Sequence, residues 1–317
     1  MSLRLAFFGT ADFAVPSLKA LAQGGYGLDL IVCQPDRPKG RGQQDQAPPL
    51  KRAALELGLE PWQPESMKDE ASRRFFADRG RSLDLACVVA YGQILPQEVL
   101  DTPRLGCINL HASLLPRWRG AAPIEWALAH GDAESGVCAQ RMVRRLDAGD
   151  VLLRERRALG PDDDAPKLHA ELADLGAALL VRAVEGLVAG VLKGEPQNEA
   201  EATYAPLLKK GDGFLDFSRS CTELLNRFRA FKERPGVRVF LGTDEPVRVL
   251  ALSGGGPGSA LPGTVLELGG RGLRVACGDA SVWLERVLPP SGRPMDAGAW
   301  ARGRGWGAGA LLPLLLG

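Results

Sequence analysis

GCINLHASLLPRWRGAAPIEW, residues 106–126, opens on a buried strand and closes on a helix. CINLHA (107–112) follows a glycine and is apolar apart from one amide and one imidazole, while Pro123–His130 has the spacing of a helix. The same alternation fills the chain before it. LRLAFFG (3–9), Leu28–Cys33 and LDLACVVAY (83–91) are apolar runs suited to buried strands. Between them Phe13–Gln23, Leu50–Gly58 and Asp69–Asp78 carry helical periodicity. Beyond the quoted stretch, Gly136–Met142 and Val151–Ala158 are expected as strands, and Lys167–Gly190 as a long amphipathic helix. Strands alternating with helices predict an α/β fold with a doubly wound, mostly parallel, Rossmann-like sheet. Ligands of such sheets sit beyond the carboxyl ends of the strands.

After residue 190 the pattern changes. Residues 191–213 are polar and aperiodic and are expected to be a linker. Residues 214–317 then show one helix, Cys221–Phe231, and short strand-like runs: Val237–Leu241, Pro246–Leu252, Gly263–Leu268, Leu273–Ala276 and Ser281–Val287. Glycine and proline punctuate them, as in a small OB-like β-barrel. The expected division is a catalytic domain over 1–190 and a barrel domain over 214–317, a split that 317 residues favour.

Composition narrows the class. The chain is 45% apolar and 24% charged, as globular proteins are. It has no apolar run long enough to span a bilayer and no signal-peptide pattern at its start, so a cytoplasmic protein is expected. Six cysteines, without a CxxC pair, are expected as reduced, buried thiols, and no zinc spacing is present. From Pro206 onward 15 Lys and Arg stand against 10 Asp and Glu, which leaves the first 205 residues a net −4 of the total +1. A basic second half suits a polyanionic partner. No coiled-coil heptad is evident, and a monomer is expected.

The chemistry lies in the opening stretch. Residues two apart on a strand face one side, so Asn109 and His111 project together. A carboxylate follows in RLDAGD (145–150), as Asp147 or Asp150. The other two histidines, His130 and His169, fall on helical segments, which favours His111 as the proton carrier. An amide N–H suits a tetrahedral oxyanion, an imidazole moves a proton near neutral pH, and a carboxylate orients the imidazole. Together they suit acyl transfer. No GxSxG nucleophile context occurs, which argues against an acyl-enzyme. FFGTADF lacks GxGxxG and PKGRGQQ is not a P-loop.

NLHASLLPRWRGAAPIEWA (109–127) together with LDAGD (146–150) resembles the hallmark pair of the folate-dependent formyltransferases. That resemblance implies Asn109, His111 and Asp147 as catalytic residues. It implies Ser113, Leu114, Leu115 and Pro116 as the loop that contacts the folate, with YGQILP (91–96) lining the pterin pocket. The co-substrate so implied is 10-formyltetrahydrofolate, with no metal. GTADFAVPSL (9–18), QPDRPKGRG (34–42) and TYAPLLKK (203–210) are similar to the branch whose acceptor is initiator methionyl-tRNA. In that branch a basic loop enters the acceptor stem, which implies tRNA contacts from Arg37, Lys39, Arg41 and Lys210. Charged residues on a glycine-rich segment suit phosphates. Sugar-nucleotide formyltransferases, formyl hydrolases and an inactive RNA-binding relative are the alternatives. Arg144 and Arg145, beside Asp147, are expected to act on its carboxylate or its loop.

Overall fold

The computed structural model describes residues 3–39, 44–241, 245–290 and 292–312. The chain divides into two compact units: Met1–Pro123, Glu134–Ala158 and Lys167–Ala205 in one, and Ile124–Ala133, Leu159–Pro166 and Pro206–Gly317 in the other.

The first unit is built on seven strands: β1 (Arg4–Gly9), β2 (Gly27–Val32), β3 (Pro61–Trp62), β4 (Leu85–Val89), β5 (Cys107–His111), β6 (Glu134–Arg141) and β7 (Val151–Ala158). Their order across the sheet is β7-β6-β5-β4-β1-β2-β3. The five strands β1 to β5 pair in parallel, and β6 and β7 add an antiparallel edge. Every residue of LACVV in β4 is buried, as expected where helices cover both faces of a parallel sheet. The helix Ala165–Val188 lies over β5, with Gly176 so close to Leu110 that a β-carbon there would stand 2.6 Å from its Cδ2. Pro16 and Pro49 open the helices Val15–Gln23 and Pro49–Glu56, where a missing N–H costs nothing.

The chain runs from β1 outward to β3, then returns to place β4 on the other side of β1. That reversal is a topological switch point. Its strand ends are tied together: Thr10 Oγ1 and Gln34 Nε2 each donate to Tyr91 O at 2.8 Å. Several elements went unread in the sequence, among them three short strands of the first unit and the helix Ala297–Arg302, where residues 214–317 were expected to hold one helix only. The two-residue edge strand Pro61–Trp62 is too short for a periodicity, and Arg37–Lys39 pairs with Gln44–Gln46 where a plain loop was expected.

Residues 191–205 are not a linker. Glu195 and Val151 exchange backbone hydrogen bonds at 2.9 Å, and Tyr204–Ala205 pairs in parallel with Arg119–Gly120. The segment belongs to the first unit. The sequence reading failed because these hydrogen bonds join residues some 40 to 90 positions apart and leave no local periodicity.

The second unit has an antiparallel sheet of β8 (Arg238–Val239), β9 (Val247–Gly256), β10 (Val265–Gly269), β11 (Gly272–Ala276), β12 (Ser281–Leu288) and β13 (Met295–Asp296). The order is β8-β9-β12-β11-β10, with β13 on β12, an open path like that of a partly open OB barrel. The helix Cys221–Phe231 begins at a capping box between Ser220 and Glu223. Its Phe231 ring meets Trp126 edge-on at 5.5 Å, so the helix Pro123–Ala129 packs with this unit. No helix among the described residues is long and apolar enough to cross a membrane.

Candidate active site

Asn109 and His111 project from the carboxyl-terminal half of β5, on the same side of the sheet. Opposite them on β6 stand Gln140 and Cys138, in register with Asn109 and His111 respectively. Cross-strand partners share a face, so three polar side chains and one thiol gather there. His111 Nε2 lies 2.9 Å from the carbonyl oxygen of Trp118. A carbonyl only accepts, so Nε2 carries a proton and the other ring nitrogen, Nδ1, is turned elsewhere.

Nδ1 is turned to Asp147, whose Oδ2 stands 3.8 Å away. The loop between β6 and β7 carries this aspartate with its backbone in the left-handed region, at φ 47°. For a residue with a β-carbon that conformation costs about 1–2 kcal/mol, so neighbouring contacts must hold it. They do. Gln140 Nε2 donates to Oδ1 at 3.0 Å, and the Gly120 N–H donates to Oδ2 at 2.9 Å. Gly120 itself has φ 126° and approaches Ala205 so closely that a β-carbon would stand 2.5 Å from its carbonyl oxygen. Asp150, the other carboxylate of the motif, closes the turn with its main chain: its carbonyl accepts from Arg141 N at 2.9 Å.

A second layer surrounds the loop. Gln197 Nε2 lies 2.9 Å from Asp147 O and 2.6 Å from Gly149 O. The wholly buried Arg119 directs two N–H groups at Gln197 Oε1, at 2.8 and 3.1 Å, and pairs with Glu199 at 2.8 Å. Arg145 also reaches Glu199. Hydrogen bonds from Arg119, then those from Arg145, hold the Glu199 carboxyl down to about 2. Both arginines are pushed above their ordinary value, first by the hydrogen bond to Glu199. The side chain of Arg145 thus goes to Glu199, and the hydrogen bonds to the Asp147 carboxylate come from neutral donors; Arg144 is exposed. Gln140, Gln197, Arg119 and Glu199 all escaped the sequence reading. The run PQNE (196–199) after the long helix was the only available signal.

The loop Ser113–Pro116 follows β5 directly. Ser113 Oγ donates to Arg117 O at 2.6 Å, and Leu115 is buried against Cys138 and Val151. Leu114 packs at Gly136, and the Leu115–Pro116 peptide is cis. The parts of Ser113 and Leu115 that remain for a ligand are therefore main-chain groups. In YGQILP, Tyr91 is buried while Ile94 is exposed, and Gly92 has φ 84°. Arg37 is exposed on its hairpin and pairs with the exposed Glu65 at 2.7 Å, a surface contact of about 0–1 kcal/mol. Lys39 pairs through its main chain with Gln44. Arg41 lies outside the described residues. Lys210 is exposed at the start of a 3-10 turn in the second unit. Among the described residues no three His, Cys, Asp or Glu side chains group as a metal site.

An Asn and a His on one face of the last parallel strand, with an Asp facing the His, suit acyl transfer, and comparison identifies the family. Residues 3–184 match the family described as formyl transferase, and residues 207–305 match the formyl transferase C-terminal domain. The chain is 46% identical over 295 residues to the methionyl-tRNA formyltransferase of Ectopseudomonas mendocina (strain ymp), covering 93% of this chain and 92% of that protein. It is 44% identical over 315 residues to the methionyl-tRNA formyltransferase of Neisseria gonorrhoeae (strain ATCC 700825 / FA 1090), covering 98% and 100%. The chain belongs to the formyl transferase family and, within it, to the methionyl-tRNA formyltransferases. Among solved structures, the sugar 3N-formyl transferase WlaRD, crystallised with dTDP and 5-N-formyl-THF, matches with TM-score 0.67 at 16% identity over 89% of this chain and 97% of that one. HypX from Aquifex aeolicus in complex with tetrahydrofolic acid matches with TM-score 0.62 at 16% identity, over 99% and 51%. These two share the fold.

Proposed function

We propose that this chain transfers the formyl group of 10-formyltetrahydrofolate to the α-amino group of initiator methionyl-tRNA, in one direct step. The observation that supports the reading is that His111, on one face of β5 with Asn109, turns Nδ1 to the Asp147 carboxylate at 3.8 Å. Near-full-length similarity to methionyl-tRNA formyltransferases supports the acceptor.

The neutral amine attacks the formyl carbon, forming the C–N bond and a tetrahedral oxyanion. Asn109 donates an N–H to that oxygen, and protonated His111 donates from Nδ1. Asp147 orients the imidazole and, through water, passes the ammonium proton toward the folate nitrogen, which leaves as a neutral amine. The oxyanion then collapses to the formamide. Main-chain groups of Ser113, Leu114, Leu115 and Pro116, and of the segment Tyr91–Pro96, hold the folate. Arg37, Lys39, Arg41 and Lys210 meet tRNA phosphates. The reaction belongs to the cytoplasm, and the enzyme acts as a monomer without a metal.

The test is a formylation assay that compares charged initiator tRNA, charged elongator tRNA and free methionine, with formate release measured in parallel. Transfer to the initiator alone is expected. Equal transfer to all three removes the tRNA acceptor, and formate release without tRNA makes the chain a hydrolase. Removing one phosphate-contacting lysine or arginine should lower the salt slope of tRNA binding by about 1.

A further inference from the structure

We propose that Gln197 is a positioning residue of the active site: its side-chain amide holds the Asp147 loop in the conformation that aims the carboxylate at His111. The proposal rests on the catalytic reading of Asp147.

Gln197 lies 50 residues after Asp147 on the segment that follows the long helix, yet its side chain meets the main chain of the Asp147 loop. Its Nε2 stands 2.6 Å from Gly149 O, 2.9 Å from Asp147 O and 3.3 Å from Gln140 Oε1. All three are acceptors, and an amide nitrogen has two protons to share among them. The amide cannot turn over. Arg119 offers only donors, and its Nε and one terminal nitrogen face Gln197 Oε1 at 3.1 and 2.8 Å. Arg119 is fully buried and is itself fixed by Glu199. Oxygen therefore faces the guanidinium and nitrogen faces the carbonyls.

The same contact sets a second amide. Because Gln140 Oε1 accepts from Gln197, its nitrogen is left to donate to Asp147 Oδ1 at 3.0 Å. Gln197 thus acts on the aspartate twice, through the main chain of a residue held at φ 47° and through the orientation of Gln140. The rest of its segment braces the other side. Thr203 O and Ala205 O accept from Arg119 N and Ala121 N at 2.9 and 2.8 Å, which fixes the stretch that supplies Trp118 O to His111 and the Gly120 N–H to Asp147. A network of this kind is disturbed as a whole when one donor is lost.

Gln197→Glu removes the donor and adds a negative charge, while the carboxylate still accepts from Arg119. Gln197→Met, similar in volume, removes both functions. Single-turnover rates, KM for the folate and for charged tRNA, and melting temperature are measured for each, alone and with Asp147→Asn. A 1 Å misplacement costs roughly 10²-fold in rate, so a loss of about that size is expected for both variants, with each KM within about twofold. In the Asp147→Asn background the same change should cost nothing further. Unchanged turnover in the folded Gln197 variants overturns the positioning role. So does a loss that multiplies with Asp147→Asn, or one confined to KM. Near-normal turnover of Asp147→Asn alone instead removes the catalytic reading of Asp147, and the proposal with it; slow Asp147→Asn beside a normal Gln197→Glu removes the positioning role only.

Discussion

Arg119 and Glu199 meet across 80 residues of chain, the guanidinium wholly buried and the carboxylate 49% exposed. The pairing lowers the Glu199 carboxyl to about 2 from an ordinary 4.5, Arg119 contributing most. A group whose folded value is lowered stabilises the fold above its unfolded value, and that contribution is lost as pH falls through the folded value. The urea midpoints of the wild type and Glu199→Gln should therefore differ by a constant margin at pH 7 and 5.5. The margin should narrow between pH 4.5 and 2. A margin that stays level down to pH 3 would show that the carboxylate charge contributes nothing.

The proposed mechanism makes His111 and Asp147 act as a unit, and their variants should report it. Asp147→Asn and His111→Gln are each expected to lower kcat by roughly 10²–10⁴-fold, the range for a lost proton-transfer group. KM for the folate should change little, since the loop Ser113–Pro116 is untouched. Separate measurement of kcat and KM checks both halves of this expectation.

Gly149 is packed against the strand that carries Gln140. A β-carbon there would stand 1.9 Å from Arg141 O, which nothing short of a main-chain shift relieves. Gly149→Ala should cost about 1–3 kcal/mol in chemical denaturation and lower turnover as well, because the shift displaces Asp147. Gly211→Ala is the control. Nothing lies within 4 Å of its added carbon and its φ is not positive, so a change within about 0.5 kcal/mol is expected.

The six cysteines are all free, and burial pushes Cys33 and Cys138 up to about 11 and Cys107 up to about 12. Thiolate is the reactive form, so these sites should resist a thiol reagent at pH 8 until the chain unfolds. Cys221, half-buried, should react first. Rapid labelling of three or more thiols in the folded protein would contradict this packing.

The centre of the sheet was legible because β1, β4 and β5 are apolar runs buried on both faces, and such runs have few other uses. β1, β4 and β5 fall within two residues of where periodicity places them. Asn109 and His111 were legible for a related reason, being polar residues at alternate positions of a run that is otherwise core. The direction of β6 and β7 was not legible, since a strand's own residues do not record whether its neighbour runs with it or against it. Nor was the bracing layer. Arg119, Gln140, Gln197 and Glu199 are common polar residues whose meaning comes from partners 50 to 80 positions away. A polar segment without period looks the same whether it is solvated or bound.

The bracing segment changes where the catalytic body ends. A chain cut after residue 190, at the close of its last long helix, would still spell out Asn109, His111 and Asp147. It would lack Gln197, Glu199 and the strand Tyr204–Ala205, and with them the contacts that brace the Asp147 loop and the Arg119–Gly120 stretch beside it. The shortest piece that contains the whole site reaches Ala205. Shuffling or grafting of this enzyme should respect that later border, since a hybrid joined at 190 would inherit its aspartate from one parent and the support for it from the other.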